Sequence, residues 1–309
     1  MSTRNLIQFA IRCDKPSGGA LKVRHYYEHA REWSNNTAIY MPPDIELRAS
    51  NPWFKYRNDV TRIIDWDKVN IMFISGWGWQ RFIPHRYHFH RPFTVVYLVQ
   101  HPRKLMPIDS RYHDLRKPAI RICCSGALSE MARNLGIVNG PVHMIPAGIE
   151  LKPLIDSKSR PKSNDILIVA LKNQEAGRAL ESMLVRAQIK AHVLDKLMSR
   201  ELFLEALAKA RIVVCLPNAS EGFYLPALEA MAMGALVICP DVFGNDYCKH
   251  NYNCLVPDYQ CEEMFNAIQK ALAMNAAERN RILLNAEISA NQHDLLIERK
   301  RFHQILASI

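Results

Sequence analysis

Two glutamates, Glu221 and Glu229, stand with seven residues between them in the segment PNASEGFYLPALEAMAMGALVICPD, residues 217–241. A carboxylate accepts two hydrogen bonds from vicinal hydroxyls. Glu229 therefore suits a ribose and Glu221 a hexose, with a diphosphate between them, and the spacing spans a nucleotide-sugar. Pro226 is placed as the first residue of a short helix, Pro226–Met233, ended by Gly234. The helix follows the strand Arg211–Leu216 at its carboxyl end, where open parallel sheets bind ligands. Its free N–H groups and positive dipole end make a phosphate site. Each glutamate also has an ordinary reading, Glu229 as an acid in a helix's first turn and Glu221 as a solvated loop residue.

The run EGFYLPALEAMAMG resembles the signature of glycosyltransferase family 4, a pattern close to EGFGLPxLEAMAxG. The resemblance implies an α/β protein of GT-B fold, two Rossmann-like domains facing across a cleft, with the acceptor on the first and the nucleotide-sugar on the second. It implies a retaining, hexosyltransferase-like reaction with a nucleotide-sugar as co-substrate and no required metal. It makes Glu221 a catalytic-site residue and puts Gly222, Phe223, Tyr224, Leu225 and Glu229 in the donor site. Gly18 and Gly19 match the family's glycine loop after the first strand, where a side chain would obstruct the donor phosphates. His101, at the end of the strand Thr94–Gln100, resembles the histidine that faces the donor sugar from the first domain. Ser125 and the segment IPAGIE, residues 145–150, resemble the end of the first domain and the crossover to the second.

The chain departs from the family at the Arg and Lys that grip the diphosphate, whose aligned positions hold Leu171 and Ala176. Lys172 and Arg178 lie close enough to supply that charge, or are solvated residues of a loop and helix. The stretch from Leu171 to Arg211 is short for the family's usual extra strand.

Other groups carry less. Asp65-Trp66-Asp67 has the Asp-x-Asp form that holds a metal in GT-A glycosyltransferases, but the glutamate motif belongs to the metal-free fold. His85, His88 and His90 lie between Pro84 and Pro92, and no cysteine or carboxylate nearby completes a zinc set. The surrounding stretch 77–93 interleaves aromatics with Arg and His, which suits a membrane interface, an oligosaccharide groove or stacking on bases.

The elements that position these residues alternate. In the first half, strands at Leu6–Ile11, Thr37–Met41, Val69–Ser75, Thr94–Gln100 and Ala119–Cys124 are interleaved with helical patterns at Ala20–Trp33 and Ser129–Leu135. The second half repeats this with strands at Ile166–Leu171, Ile189–Val193, Ile212–Leu216 and Leu236–Cys239, and helices at Ala176–Ala187 and Arg200–Ala210. From Cys261 the chain reads as helices. Such alternation implies parallel sheets covered on both faces. The domains are read as 1–147 and 148–309, the last helix being a candidate to pack back on the first.

Length agrees, since 309 residues exceed one domain of roughly 100–200. No apolar run is long enough to span a bilayer and no signal peptide is visible at the N-terminus, so a cytoplasmic protein is expected. The eight cysteines form no CxxC pair and are read as buried thiols. The net charge of +10 is concentrated in residues 1–150, with 21 Lys and Arg against 12 Asp and Glu, whereas residues 151–309 hold 19 against 18. That field attracts an anionic membrane surface, an acidic acceptor or nucleic acid. The expected partners are a nucleotide-sugar donor, a glycan or glycolipid acceptor and an anionic membrane, with no nucleic acid, in assembly of a surface polysaccharide or lipopolysaccharide. A glycan-binding or regulatory protein of the same fold, and a nucleic-acid-binding protein, are the rival readings.

Overall fold

The computed structural model describes residues 6–11, 17–49, 51, 53–83 and 92–309. The chain divides into two compact units, Met1–Ala147 together with Glu298–Ile309, and Gly148–Ile297.

The first unit contains β1 (Leu6–Ala10), α1 (Gly18–Trp33), β2 (Thr37–Tyr40), β3 (Val60–Thr61), β4 (Val69–Ser75), α2 (Gly78–Phe82), β5 (Thr94–Val99), β6 (Ile120–Cys123), α3 (Gly126–Asn134) and β7 (Val142–Met144). The strands form one parallel sheet in the order β3-β2-β1-β4-β5-β6-β7. Both faces are covered, so β5 is buried from Val95 to Val99 without alternation. Phe9 and Phe73 stack across β1 and β4 at 4.5 Å, and Tyr26 of α1 meets Phe302 edge-on at 4.9 Å.

The second unit contains α4 (Leu151–Asp156), β8 (Asn164–Val169), α5 (Gln174–Arg186), β9 (His192–Leu194), α6 (Arg200–Lys209), β10 (Ala210–Cys215), α7 (Leu225–Ala232), β11 (Leu236–Ile238), α8 (Cys261–Ala273), α9 (Ala276–Asn291) and the start of α10 (Leu295–Ala307). Its sheet is parallel in the order β11-β10-β8-β9. Ile168, Val214 and Ile238 form its core with Leu180 of α5 and Ile268 of α8.

From Glu298 onward α10 belongs to the first unit. Glu298 is fully buried between Lys22, at 2.5 Å, and His29, at 3.1 Å. Burial pushes its carboxyl up, but Lys22 and then His29 outweigh that and hold it at about 2.

One expected strand shifts in register. Apolar Ile189 and Ala191 read as a strand start but pack on the core from the turn after α5, where Gln188 takes a φ of 58°. The strand itself is His192–Leu194. The two-residue β3 is too short to leave a sequence pattern. Among the described residues no helix is long and apolar enough to cross a membrane.

Candidate active site

In the second unit the motif occupies the loop after β10 and the whole of α7. Because β8 and β10 are parallel neighbours, the turns that follow them lie on one edge of the sheet. Leu216 N–H still pairs with Val169 O at 3.0 Å before the two chains part.

Glu221 is 8% exposed. Its Oε1 accepts from the Asn218 backbone N–H at 3.0 Å and from Asn218 Nδ2 at 2.8 Å. Its Oε2 has no partner among the described residues, so one oxygen is anchored and the other is open. The loop is held from below by residues 243–247. Glu221 N–H donates to Phe243 O at 3.2 Å, Tyr224 N–H to Asn245 Oδ1 at 3.2 Å, and Tyr247 Oη to Tyr224 O. Phe223 stacks on Tyr247 at 4.9 Å.

The motif helix starts one residue earlier than its proline suggests. Tyr224 is the N-cap, makes no side-chain capping bond, and is followed by Leu225 and Pro226. By position, the N–H groups of Leu225 and Ala227 have no helical acceptor, and Pro226 has none to offer. The helix ends in a Schellman motif, with Ala235 N–H on Ala230 O and Gly234 N–H on Met231 O, both at 3.0 Å. Gly234 takes the left-handed φ of 72° that this ending needs.

Starting at Leu225 moves Glu229 out of the first turn into the second. It is also not an open carboxylate. Arg200, the first residue of α6, grips it through both terminal nitrogens, at 3.0 Å and 2.5 Å. Glu229 is buried to 0% exposure. Arg200 lies 29 residues away and belongs to no motif, so only the helix packing of α6 on α7 identifies it.

Tyr224 and Leu225, placed in the donor site by the resemblance, are buried, at 3% and 7% exposure. What the segment 222–225 offers a ligand is backbone, because the Gly222 and Phe223 N–H groups have no hydrogen-bond partner among the described residues.

Lys172 is exposed in the turn after β8, and Arg178 is exposed one turn into α5. Neither makes a side-chain hydrogen bond or ion pair among the described residues. Asn173 caps α5 through Ala176 N–H at 3.2 Å. Beside it a cavity of about 220 Å³ is lined by Asn173, Leu216, Ala219, Tyr259 and Met264, a largely apolar set.

In the first unit, Gly18 and Gly19 are the first two residues of α1 rather than a loop, because the Ser17 hydroxyl accepts from Ala20 N–H at 3.1 Å and caps the helix there. Gly19 O accepts from Gln100 Nε2 at 2.9 Å. A Cβ at Gly19 would meet the Gln100 side chain at an ordinary 3.6 Å, so the fold itself does not require glycine. His101 follows β5 and caps a 3-10 helix, Pro102–Leu105, with Nδ1 accepting from Arg103 N–H at 3.1 Å. The neutral ring therefore carries its proton on Nε2. Ser125 caps α3.

The described residues hold no group of three His, Cys, Asp or Glu placed to bind a metal. Asp65 is exposed and pairs with Lys68 at 2.8 Å. His85, His88 and His90 lie outside the described residues, with the rest of 84–91 in the aromatic and basic stretch.

Residues 150–274 match the family model of the glycosyl transferases group 1. No curated protein matches the chain. Among solved structures, Anabaena HepE in complex with UDP and glucose is similar over 99% of this chain and 100% of its own, with a TM-score of 0.72 at 15% identity. Sucrose-phosphate synthase from Thermosynechococcus elongatus is similar over 99% of both chains, with a TM-score of 0.67 at 14% identity. The α,α-trehalose 6-phosphate synthase from Burkholderia multivorans covers 99% of this chain and 98% of its own, with a TM-score of 0.67 at 12% identity. Two parallel-sheet α/β units, the motif at the carboxyl edge of β10 and these similar structures agree on the GT-B fold, and segment 150–274 is similar to the group 1 glycosyl transferases.

Proposed function

We propose that this protein is a retaining, metal-independent glycosyltransferase that moves a sugar from a nucleoside-diphosphate sugar to a hydroxyl of a glycan or glycolipid acceptor. The observation that carries this reading is Glu221, with one oxygen anchored by Asn218 and the other open, at the carboxyl edge of β10 just ahead of α7. The Anabaena structures contain UDP and UDP-glucose, which makes a uridine nucleotide the first donor to test.

In this reading the open Glu221 oxygen accepts from hydroxyls of the transferred sugar. The diphosphate meets the start of α7 and the N–H groups of Gly222 and Phe223, with Lys172 and Arg178 neutralising its charge. Gly18, Gly19 and His101, in the first unit, are assigned to the donor by the family resemblance alone. As the glycosyl–phosphate bond loosens, the N–H groups and basic side chains stabilise the departing diphosphate, and the acceptor hydroxyl attacks from the same face. The glutamates bind and place charge, unlike the acid and base pair of a glycosidase. The excess positive charge of residues 1–150 supports work at an anionic membrane surface, in assembly of a surface polysaccharide or lipopolysaccharide.

Thermal-shift measurements with UDP, GDP, ADP, CDP and their sugar conjugates test the donor assignment, because a ligand of the folded state raises the melting temperature. Stabilisation by one nucleotide and its sugar is expected, followed by transfer detected by mass spectrometry. No stabilisation by any of them overturns the reading. Binding without hydrolysis or transfer would favour a glycan-binding protein, a reading supported by Leu171 and Ala176 at the family's basic positions.

A further inference from the structure

The cavity beside Asn173 lies on the face of the second sheet that α5 and α8 cover. Its floor is apolar and buried: Leu180 of α5, Leu216 after β10 and Met264 of α8. Ala176 and Cys261 are half-buried at its sides, and Ala219 and Gln260 stand exposed at its mouth. No charged side chain lines it. An apolar cavity of about 150 Å³ holds a molecule the size of benzene, so about 220 Å³ has room for a short acyl group.

The cavity and Glu221 share one loop. Leu216 and Ala219 line the cavity, while Asn218 between them holds Glu221 Oε1. Ala219 and Glu221 are two residues apart, so their Cα atoms lie within about 7.6 Å of each other. Tyr259 fixes the loop from the cavity side, its hydroxyl donating to Pro217 O and accepting from Asn173 Nδ2 at 3.2 Å. Asn173 Oδ1 is taken by the cap of α5. The Gln260 carboxamide, in contrast, makes no capping bond to α8 and no other hydrogen bond among the described residues.

We propose that this cavity receives the acylamino group of the transferred sugar, which makes the donor a nucleoside-diphosphate N-acetylamino sugar. The acetyl methyl enters among Ala176, Leu216 and Met264, and the amide meets the Gln260 carboxamide at the mouth. This rests on the glycosyltransferase reading above, with Glu221 as partner of the same sugar. An acetamido group presents one N–H and one C=O, and a glutamine side chain offers an acceptor and donors in return. A plain hydroxyl in that place would leave the apolar floor uncovered. A carboxylate would lose its hydration with no cation in the lining to pair with. The cavity therefore favours N-acylated sugars over plain hexoses and over uronic acids.

Calorimetry tests this with whichever of UDP, GDP, ADP and CDP binds tightest, as its N-acetylglucosamine and its glucose conjugate. The wild type is expected to bind the N-acetylated conjugate about tenfold tighter, the discrimination that one filled apolar group provides. Ala176→Leu, whose side chain enters the cavity, should bring the two conjugates within about twofold while affinity for the free nucleotide holds. Gln260→Ala, at an exposed position, should lower the preference by roughly threefold, and it keeps the test valid if Ala176→Leu does not fold. Cys261 gives a readout at the cavity itself. Its alkylation by iodoacetamide, followed by peptide mass spectrometry, should be slowed by the N-acetylated conjugate and not by the glucose conjugate or the free nucleotide. Equal binding of the two conjugates by the wild type, a preference that survives in both variants, or a Cys261 that the N-acetylated conjugate does not protect overturns the proposal and leaves the glycosyltransferase reading standing. If neither the nucleotides nor their conjugates bind, that reading fails and the proposal with it.

Discussion

Gly244 lies directly against Glu221: a Cβ on Gly244 would stand 2.5 Å from the Glu221 carbonyl oxygen and 2.7 Å from that of Gly222. Its φ of 90° is also one that other residues rarely adopt. Gly244→Ala should therefore cost about 1–3 kcal/mol and displace the motif loop. Urea unfolding measures the first effect. Unchanged stability would show that the two loops do not pack in this way.

Glu221→Gln keeps the contacts to Asn218 but weakens the open acceptor. Turnover should fall by roughly tenfold or more while the affinity for free nucleoside diphosphate holds, since the proposed partner is the transferred sugar. Equal losses for nucleotide and nucleotide-sugar would contradict the assignment.

Glu298 makes stability depend on acid. Its carboxyl is held at about 2 in the fold, against about 4.3 in an unfolded chain. A lowered carboxyl contributes stability that is present above the unfolded value and lost as pH falls through the folded one. The fold should therefore lose on the order of 3 kcal/mol between about pH 4.5 and 2, and Glu298→Gln should flatten that slope. Denaturation at several pH values in both proteins measures it, and parallel slopes would remove Glu298 as the cause.

Metal and stereochemistry can be read in one reaction. If backbone N–H groups and basic side chains hold the leaving diphosphate, excess EDTA should leave the rate largely intact, and an α-linked donor should give an α-linked product. NMR of the anomeric proton decides the second point. A β-linked product would mean that the family 4 mechanism does not apply, and activity lost in EDTA but restored by manganese would redirect attention to Asp65 and Asp67.

Anionic liposomes should bind the protein reversibly at low salt and release it as salt rises, since each basic residue near the surface contributes about 1 kcal/mol. Exposed Ile108, at 90%, and Met106, at 44%, beside Arg103 give one apolar and basic contact. If the protein stays in the supernatant at low salt, the excess charge serves an acidic acceptor instead.

The sequence by itself determined the alternation of strands and helices, the parallel sheets that follow from it, and the place of Glu221. Those signals are local. An apolar run buried on both faces, a proline at a helix start and a glycine at its end are dictated by backbone geometry within a few residues. The helix boundaries at Gly18 and Leu225 were less legible, because the hydroxyl of Ser17 and the cap at Tyr224 set them. Only the tertiary structure decided what Glu229 faces, since its partner Arg200 comes from another helix 29 residues away. It alone showed that Tyr224 and Leu225 are buried, and that Asn218 fixes one oxygen of Glu221 and leaves the other open. A carboxylate in a motif records what a position can accept, but whether it meets a ligand or a guanidinium depends on packing between elements distant in the chain.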